Sequence, residues 1–180
     1  MSGKASLINN LEELGLNLNE EEQVKVLERI VKLGDSKQVI TPEDLPFIIA
    51  DVMESRDVHL ITLKNCYVSS GLDVESTASI RVDIEGEEYH SSGSGNGGIA
   101  AFINAILKIL EQRDFQMPEL VDFEVHIPRG GDTNALTEAI ITWGMEGRKI
   151  KTRGVDSNQV LAAIKATMRM INMALQPEQG

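Results

Sequence analysis

The fold is decided by residues 76–98, which read STASIRVDIEGEEYHSSGSGNGG. Apolar residues alternate with polar ones from Ala78 to Ile84, a pattern typical of a strand with one buried face. Glu85-Gly86 then predicts a tight turn into a second strand over residues 87–92. This stretch therefore predicts an antiparallel hairpin that ends in a glycine-rich segment.

A further strand is predicted before the hairpin, and a helix is predicted after it. Residues 58–69 have strand character. From Gly97 to about Gln112 the apolar residues recur at helical spacing, as in a helix with one buried side. Together these elements form a β-β-β-α unit.

The same order recurs 61 residues later. Strands are predicted over 120–128, 138–146 and 148–153, and a helix over 157–174. Identical residues at this offset include Gly86 and Gly147, Gly93 and Gly154, Ile80 and Ile141, Ile103 and Ile164, and Ala105 and Ala166. Two copies are too few for a solenoid, so we expect a closed pseudo-twofold domain. The predicted class is α+β, with tandem duplicated β-β-β-α units and antiparallel sheets.

A small helical subdomain precedes the duplicated units. Three helices are predicted, over Leu7–Leu14, from after Asn19 to Gly34, and from Thr41 onward. The third start carries Pro42 at its first helical position, where proline is favoured. We expect a helical linker subdomain over residues 1–57 and the duplicated domain over 58–180, with units at about 58–114 and 119–174.

Composition excludes several classes of protein. There are 28 acidic residues against 17 basic ones, and the resulting net charge of −11 would repel nucleic acid and anionic membranes. Cys66 is the single cysteine, which fits a reducing compartment. No apolar stretch approaches the roughly 18 residues of a membrane span. These features indicate a cytoplasmic protein that contacts neither nucleic acid nor membrane.

The glycine-rich segment is the strongest candidate for a binding site. Its glycines allow close backbone approach, and the helix that follows offers free N–H groups to a carboxylate or phosphate. Gly93, Gly95 and Gly98 also match a dinucleotide fingerprint, but that motif requires a parallel β-α-β unit. The remaining alternative is a tight strand-to-helix turn without a ligand.

No catalytic constellation is predicted. His59, His90 and His126 are too far apart in the sequence for a metal site, and ordinary structural roles are favoured. His126 alternates with positions that are expected to be buried. Cys66 lies in a predicted strand, where a half-buried, inert thiol is favoured over a nucleophile. The chain alone is therefore not expected to be an enzyme.

The motifs resemble a known family. Ser69-Ser70-Gly71, Thr77-Ala78-Ser79-Ile80, the stretch from Gly93 to Phe102, and Gly131-Asp132 before Ala135 are similar to the allosteric dimerisation domain of 2-isopropylmalate and citramalate synthases. The preceding segment, with Ser2-Gly3-Lys4 and Thr41–Leu45, resembles the linker subdomain of these enzymes. The resemblance implies a homodimer that binds leucine, or isoleucine in citramalate synthases, for feedback inhibition.

The resemblance also implies a site. Gly95, Asn96 and Gly97 would hold the effector carboxylate, and Thr137 or Asp156 would meet its ammonium. The aliphatic pocket would be lined by Ile99, Ala100, Leu120, Phe123, Ile127 and Ala135. The alternative for Leu120, Phe123 and Ile127 is plain core packing.

The catalytic part of such synthases is not represented. The barrel's metal-binding His-x-His and its acyl-CoA signature do not occur in these 180 residues. No cofactor is therefore expected here, and a divalent metal and acetyl-CoA would belong to the catalytic barrel, a further partner. The alternative is a free-standing amino-acid-binding dimerisation module.

Overall fold

The computed structural model describes residues 19–35, 48, 59–127 and 136–175, apart from the side chains of 33–35 and 148. We number the elements in chain order. They are α1 (Glu20–Asp35), β1 (Ile61–Gly71), β2 (Val74–Ile84), β3 (Glu87–Gly95), α2 (Gly98–Leu110), a 3-10 turn (Glu111–Arg113), β4 (Glu119–His126), β5 (Thr137–Met145), β6 (Arg148–Asp156) and α3 (Gln159–Leu175).

The strands form two antiparallel three-stranded sheets, β1-β2-β3 and β4-β5-β6. Each sheet is followed by the helix that packs on it, α2 on the first sheet and α3 on the second. The predicted tandem β-β-β-α architecture is therefore confirmed.

Strands β3 and β6 extend three residues beyond their predicted ends, into Gly95 and Asp156. The reason is pairing, since Gly93 lies opposite Ala78 and Gly95 opposite Ser76 on β2. Gly93 and Gly95 are thus strand residues, and the connection to α2 consists of Asn96 and Gly97 alone. The glycine-rich segment is shorter as a loop than its sequence suggests.

Both predicted hairpin turns have the same geometry. Glu85 and Gly86 have φ values of 54° and 85°, and Glu146 and Gly147 have 47° and 76°. Two consecutive positive φ values are typical of the turn that matches the twist of antiparallel strands.

A glycine in each unit allows the helix to approach the sheet closely. A methyl group added at Gly93 would lie 2.5 Å from the backbone N of Ala105. At Gly154 it would lie 2.1 Å from the carbonyl oxygen of Ala162. Only a residue without Cβ fits such a contact, which explains why the same residue recurs at both positions.

Helix side chains also cover the outer edges of β3 and β6. The carbonyls of Ser92 and Ser94 accept hydrogen bonds from Lys108 (2.6 Å) and Asn104 (2.7 Å). The equivalent carbonyls of the second unit accept them from α3, with Arg169 bonded to Arg153 and Lys165 to Val155. Two outward carbonyls of each edge strand are therefore bonded within the chain.

The core spans both units and is mainly aliphatic. Its largest buried side chains are Phe102 and Trp143. The indole N–H of Trp143 donates to the hydroxyl of Thr152 (2.9 Å), which donates to the carbonyl of Ala166 (2.8 Å). This chain of hydrogen bonds ties β5, β6 and α3 together in the second unit.

Helix α1 begins with a reciprocal cap. The side chain of Asn19 accepts from the N–H of Glu22 (2.8 Å), and Glu22 accepts from the N–H of Asn19 (2.9 Å). The spacing of Val24, Leu27, Ile30 and Val31 predicts one apolar face, and that prediction is partly wrong, because Val24 and Val31 are exposed and Val26 is the fully buried residue. The predicted helix over Leu7–Leu14 lies outside the described residues.

The helix predicted from Thr41 also falls largely outside the described residues. Ile48 alone is described there, and it is helical and fully buried. Among the helices that can be described, none combines the length and apolar character needed to cross a membrane.

Candidate functional site

The start of α2 carries N–H groups that no described side chain caps. Gly97 precedes the helix with φ +113°, and a Cβ there would meet no atom within 4 Å. The N–H of Ala101 donates to the carbonyl of Gly97 (3.0 Å), the first bond of the helix. The N–H groups of Gly98, Ile99 and Ala100 therefore lie ahead of the helical bonding, in the part of a helix that is suited to an anion.

Two of the three residues predicted to donate amides, Gly95 and Gly97, lie before the free N–H groups of the helix start. The N–H of Gly97 is bonded to the carbonyl of Gly95 (3.0 Å). Gly95 itself lies in β3, where an added Cβ would be 2.9 Å from Ala100. Gly95 and Gly97 shape the turn, and the N–H groups without a helical partner are one to three residues after Gly97. Gly98 was not among the residues named from the sequence, although the first three residues of any helix have free N–H groups.

At the equivalent start of α3, the preceding residue caps the free N–H groups with its side chain. Asn158 lies at the position that corresponds to Gly97, and its Oδ1 accepts from the N–H groups of Val160 (2.9 Å) and Leu161 (3.2 Å). The two units therefore differ where they would bind an anion, and α2 presents the open end.

The two helix starts meet. A methyl group added at Gly98 would lie 2.9 Å from a Cγ atom of Val160 on α3 and 2.9 Å from a Cγ atom of Val68 on β1. The positive ends of two helix dipoles thus lie at one end of the molecule, where they favour a negative charge.

Thr137 and Asp156, the candidates for the ammonium, are neighbours at this end of the second sheet. They are paired across β5 and β6, and both are buried. One oxygen of Asp156 lies 2.7 Å from Nζ of Lys165, and the other accepts from the N–H of Asn158 (2.9 Å). The carboxylate is therefore held in place and compensated by Lys165.

The predicted pocket residues of β4 are spread along the strand. Leu120, Phe123 and Ile127 are 47%, 39% and 62% exposed, so simple core packing is wrong for them. Leu120 and Ile127 lie at opposite ends of the strand, roughly 20 Å apart. One amino acid cannot contact both within a single chain. Ala135 lies outside the described residues.

The remaining candidates are placed as follows. His59 and His90 are exposed, and His126, which alternates with the apolar positions of β4, is also exposed and contacts Glu124 at 3.1 Å. Cys66 is half-buried, and burial raises the pKa of its thiol, which disfavours the reactive thiolate. In the described part of the chain, no group of three or more side chains is arranged to hold a metal ion.

Comparison with known proteins gives the relatives of this chain. Residues 39–175 match the family described as the LeuA allosteric (dimerisation) domain. A 2-isopropylmalate synthase of Aquifex aeolicus is 32% identical over 175 residues, which is 97% of this chain and 33% of the relative. A putative (R)-citramalate synthase CimA of Methanosarcina mazei is 28% identical over 177 residues, or 98% of this chain and 36% of the relative. The chain thus spans about a third of the length of these curated relatives.

Proposed function

We propose, because this chain belongs to the LeuA allosteric (dimerisation) domain family, that it is the regulatory region of a 2-isopropylmalate synthase-type acyltransferase. It binds a branched-chain amino acid, with leucine favoured, as the feedback inhibitor of leucine biosynthesis. It also forms a homodimer. The proposed compartment is the cytoplasm.

The observation that carries this proposal is the open start of α2. Gly98, Ile99 and Ala100 have amides ahead of the first helical bond, and a Cβ added at Gly97 would meet no atom within 4 Å. The nearby start of α3 is occupied by Asn158. A carboxylate suits such a turn, because it accepts several N–H bonds and complements the helix dipole.

The other end of the ligand would face the second unit. Asp156 or Thr137 would meet the ammonium, and Ile99, Ala100 and Ile127 would contact the aliphatic side chain. Phe123 lies in the middle of β4 and would complete the apolar wall. Leu120 is left out because of its distance from Ile127 along the strand.

A citramalate synthase regulatory region that senses isoleucine is the second candidate. Relatives of similar identity carry both names, 2-isopropylmalate synthase and putative (R)-citramalate synthase. Leucine and isoleucine differ only in the position of one methyl group, a difference of about 1–3 kcal/mol in a shaped pocket. A free-standing sensor module is a further alternative that gene context decides.

Catalysis would belong to another part of the enzyme. The matched relatives are about three times longer than this chain, which leaves room for a catalytic barrel. The divalent metal and acetyl-CoA would bind there. An effector can inhibit such a barrel only if its affinity differs between the active and inactive states.

Thermal unfolding with added amino acids tests the sensing function. At 100 times the dissociation constant, a bound effector adds about 2.7 kcal/mol to the free energy of unfolding. We expect leucine to raise the melting temperature more than isoleucine or valine. A larger effect of isoleucine would favour the second candidate. No shift with any of the three, for a correctly folded dimer, would contradict sensing.

Substitution of Gly97 tests the location. Gly97→Asp would place a carboxylate at the cap position, where it would compete for the amides of α2 and repel the ligand. Gly97→Ala imposes the same backbone strain without the charge and is the matched control. We expect the leucine response to be lost in the first variant and retained in the second. If the two variants respond equally to leucine, the amino acid does not bind at the start of α2.

A further inference from the structure

Asn96 and Gly97 form the one Asn-Gly pair of the sequence, and they are the two residues that join β3 to α2. Both are exposed. An asparagine that precedes glycine is chemically labile, because glycine has no side chain to shield its backbone nitrogen from the neighbouring side-chain carbonyl. A Cβ added at Gly97 would meet no atom within 4 Å, so no described residue crowds this position.

The side chain of Asn96 differs from those of the other asparagines that the structure describes. Its amide makes no hydrogen bond to any described residue. The others are bonded to the main chain or to another side chain: Asn19, Asn65, Asn104, Asn158 and Asn172. The Asn96 amide can therefore turn onto the main chain without losing a bond.

One hydrogen bond opposes that reaction. The N–H of Gly97 donates to the carbonyl of Gly95 (3.0 Å), and this bond must open before the nitrogen can attack. A single hydrogen bond in an exposed loop slows the reaction by roughly tenfold at most. Asn158 is held more firmly, because its Oδ1 accepts from two N–H groups, and the residue that follows it is Gln159.

The electrostatic surroundings favour an attack by the Gly97 nitrogen. The starts of α2 and α3 are adjacent, since a Cβ added at Gly98 would lie 2.9 Å from Val160. Both helix dipoles therefore direct their positive ends to this place. A positive potential stabilises the negative charge that develops when the nitrogen loses its proton and adds to a carbonyl group.

We propose that Asn96 is a site of spontaneous deamidation and that the carboxylate it produces closes the start of α2 to anions. The backbone nitrogen of Gly97 loses its proton and forms a bond to Cγ of Asn96, and the side-chain nitrogen takes up a proton and leaves as ammonia. Water then opens the resulting succinimide. Cleavage between the Gly97 nitrogen and Cγ gives aspartate, and cleavage between that nitrogen and the main-chain carbonyl carbon gives isoaspartate.

Both products place a negative charge directly before the helix start. The N–H groups of Gly98, Ile99 and Ala100 have no helical partner there. The new carboxylate would compete for these N–H groups and repel the carboxylate of a ligand. This consequence rests on the proposed function, whereas the modification itself does not. The response to an amino acid would decline as the protein ages.

Peptide mapping by mass spectrometry tests the modification. The protein is incubated at mildly alkaline pH, either folded or unfolded in guanidinium chloride, and conversion of Asn96 to aspartate and isoaspartate is followed over time. We expect the folded rate to lie within roughly tenfold of the unfolded rate. Asn158 is the internal control and should stay intact in the folded protein. Conversion of folded Asn96 that is slower than this, or no faster than that of Asn158, would overturn the proposal.

Thermal unfolding with leucine tests the consequence. Aged wild-type protein should lose its leucine response in proportion to the conversion of Asn96, and Asn96→Asp should lack the response from the start. Asn96→Ser, aged equally, should keep whatever response its fresh protein has. A fully converted protein that responds like fresh protein would contradict the closing of the helix start. If fresh wild-type protein ignores leucine, isoleucine and valine, the sensing function fails, while the mass measurement still decides the modification.

Discussion

Asn172 on α3 and Ile61 at the start of β1 are joined by two hydrogen bonds of 3.0 Å, one in each direction. The side-chain amide donates to the carbonyl of Ile61 and accepts from its N–H, as a neighbouring strand would. The side chain is buried and also donates to the carbonyl of Met168 (3.2 Å). Asn172 therefore links the helix of the second unit to the first strand of the first unit.

Replacing this link should be costly. Asn172→Leu keeps the volume but leaves the N–H and carbonyl of Ile61 unpaired, which we expect to lower the free energy of unfolding by about 2–4 kcal/mol. Urea denaturation measures the loss. The exposed neighbour provides the control, since Met173→Ala should change the value by no more than about 0.5 kcal/mol. Equal losses of stability in the two variants would mean that the hydrogen bonds between Asn172 and Ile61 contribute little to the free energy of unfolding.

Gly154→Ala tests the close approach of α3 to β6. The new methyl group would lie 2.1 Å from the carbonyl oxygen of Ala162, a backbone atom that cannot move alone. We expect destabilisation of about 1–3 kcal/mol or more, from overpacking. At Gly144 in β5 the nearest atom is 3.4 Å away, so Gly144→Ala should be tolerated. A Gly154→Ala protein as stable as Gly144→Ala would contradict the packing.

Thr152→Val tests the hydrogen bonds of Trp143. The substitution preserves shape but removes both the acceptor of the indole N–H and the donor to Ala166. A loss of about 1–3 kcal/mol is expected for the unsatisfied buried groups. Since Trp143 is the single tryptophan, its fluorescence follows unfolding directly. Thr77→Val, at an exposed position of β2, serves as the control. If the two variants unfold at the same midpoint, the hydrogen bonds of Thr152 do not stabilise the fold.

Burial of Cys66 predicts a dependence of stability on alkaline pH. Burial raises the pKa of the folded thiol above its ordinary value of 9.0, so that the folded protein holds this proton more tightly than the unfolded chain. The stability contributed by the neutral thiol is present below the unfolded pKa and is lost as pH rises above it. Between about pH 8 and pH 10 the wild-type protein should lose more stability than Cys66→Ala. If the free energies of unfolding of the two proteins change with pH in parallel, the Cys66 thiol does not contribute to this dependence.

The helix start at the candidate site could be located from sequence because its geometry is local. Gly97 before a helix of apolar residues indicates an N-terminus without a side-chain cap, and the structure has one there. Which N–H groups remain free could not be derived, because that depends on how far β3 continues. Pairing with β2 draws Gly93 and Gly95 into the strand, and the bond from Gly97 to Gly95 removes the predicted amide from use.

The sequence by itself determined the elements and their duplication. The strand and its turns follow from neighbouring residues, namely the alternation along β2 and the Glu-Gly pairs. The duplication follows from identical residues that recur 61 positions apart. It also determined where the helices approach the sheets, since glycine recurs at both contacts.

Only the tertiary structure decided which surfaces are covered. Leu120, Phe123 and Ile127 have the alternation of a buried strand face, yet they are exposed, while β1 is contacted by both α2 and α3. A strand's periodicity indicates that one face is suited to burial but carries no information about which element buries it. That choice depends on how the two units stack, through contacts such as Asn172 with Ile61 that join residues 111 positions apart.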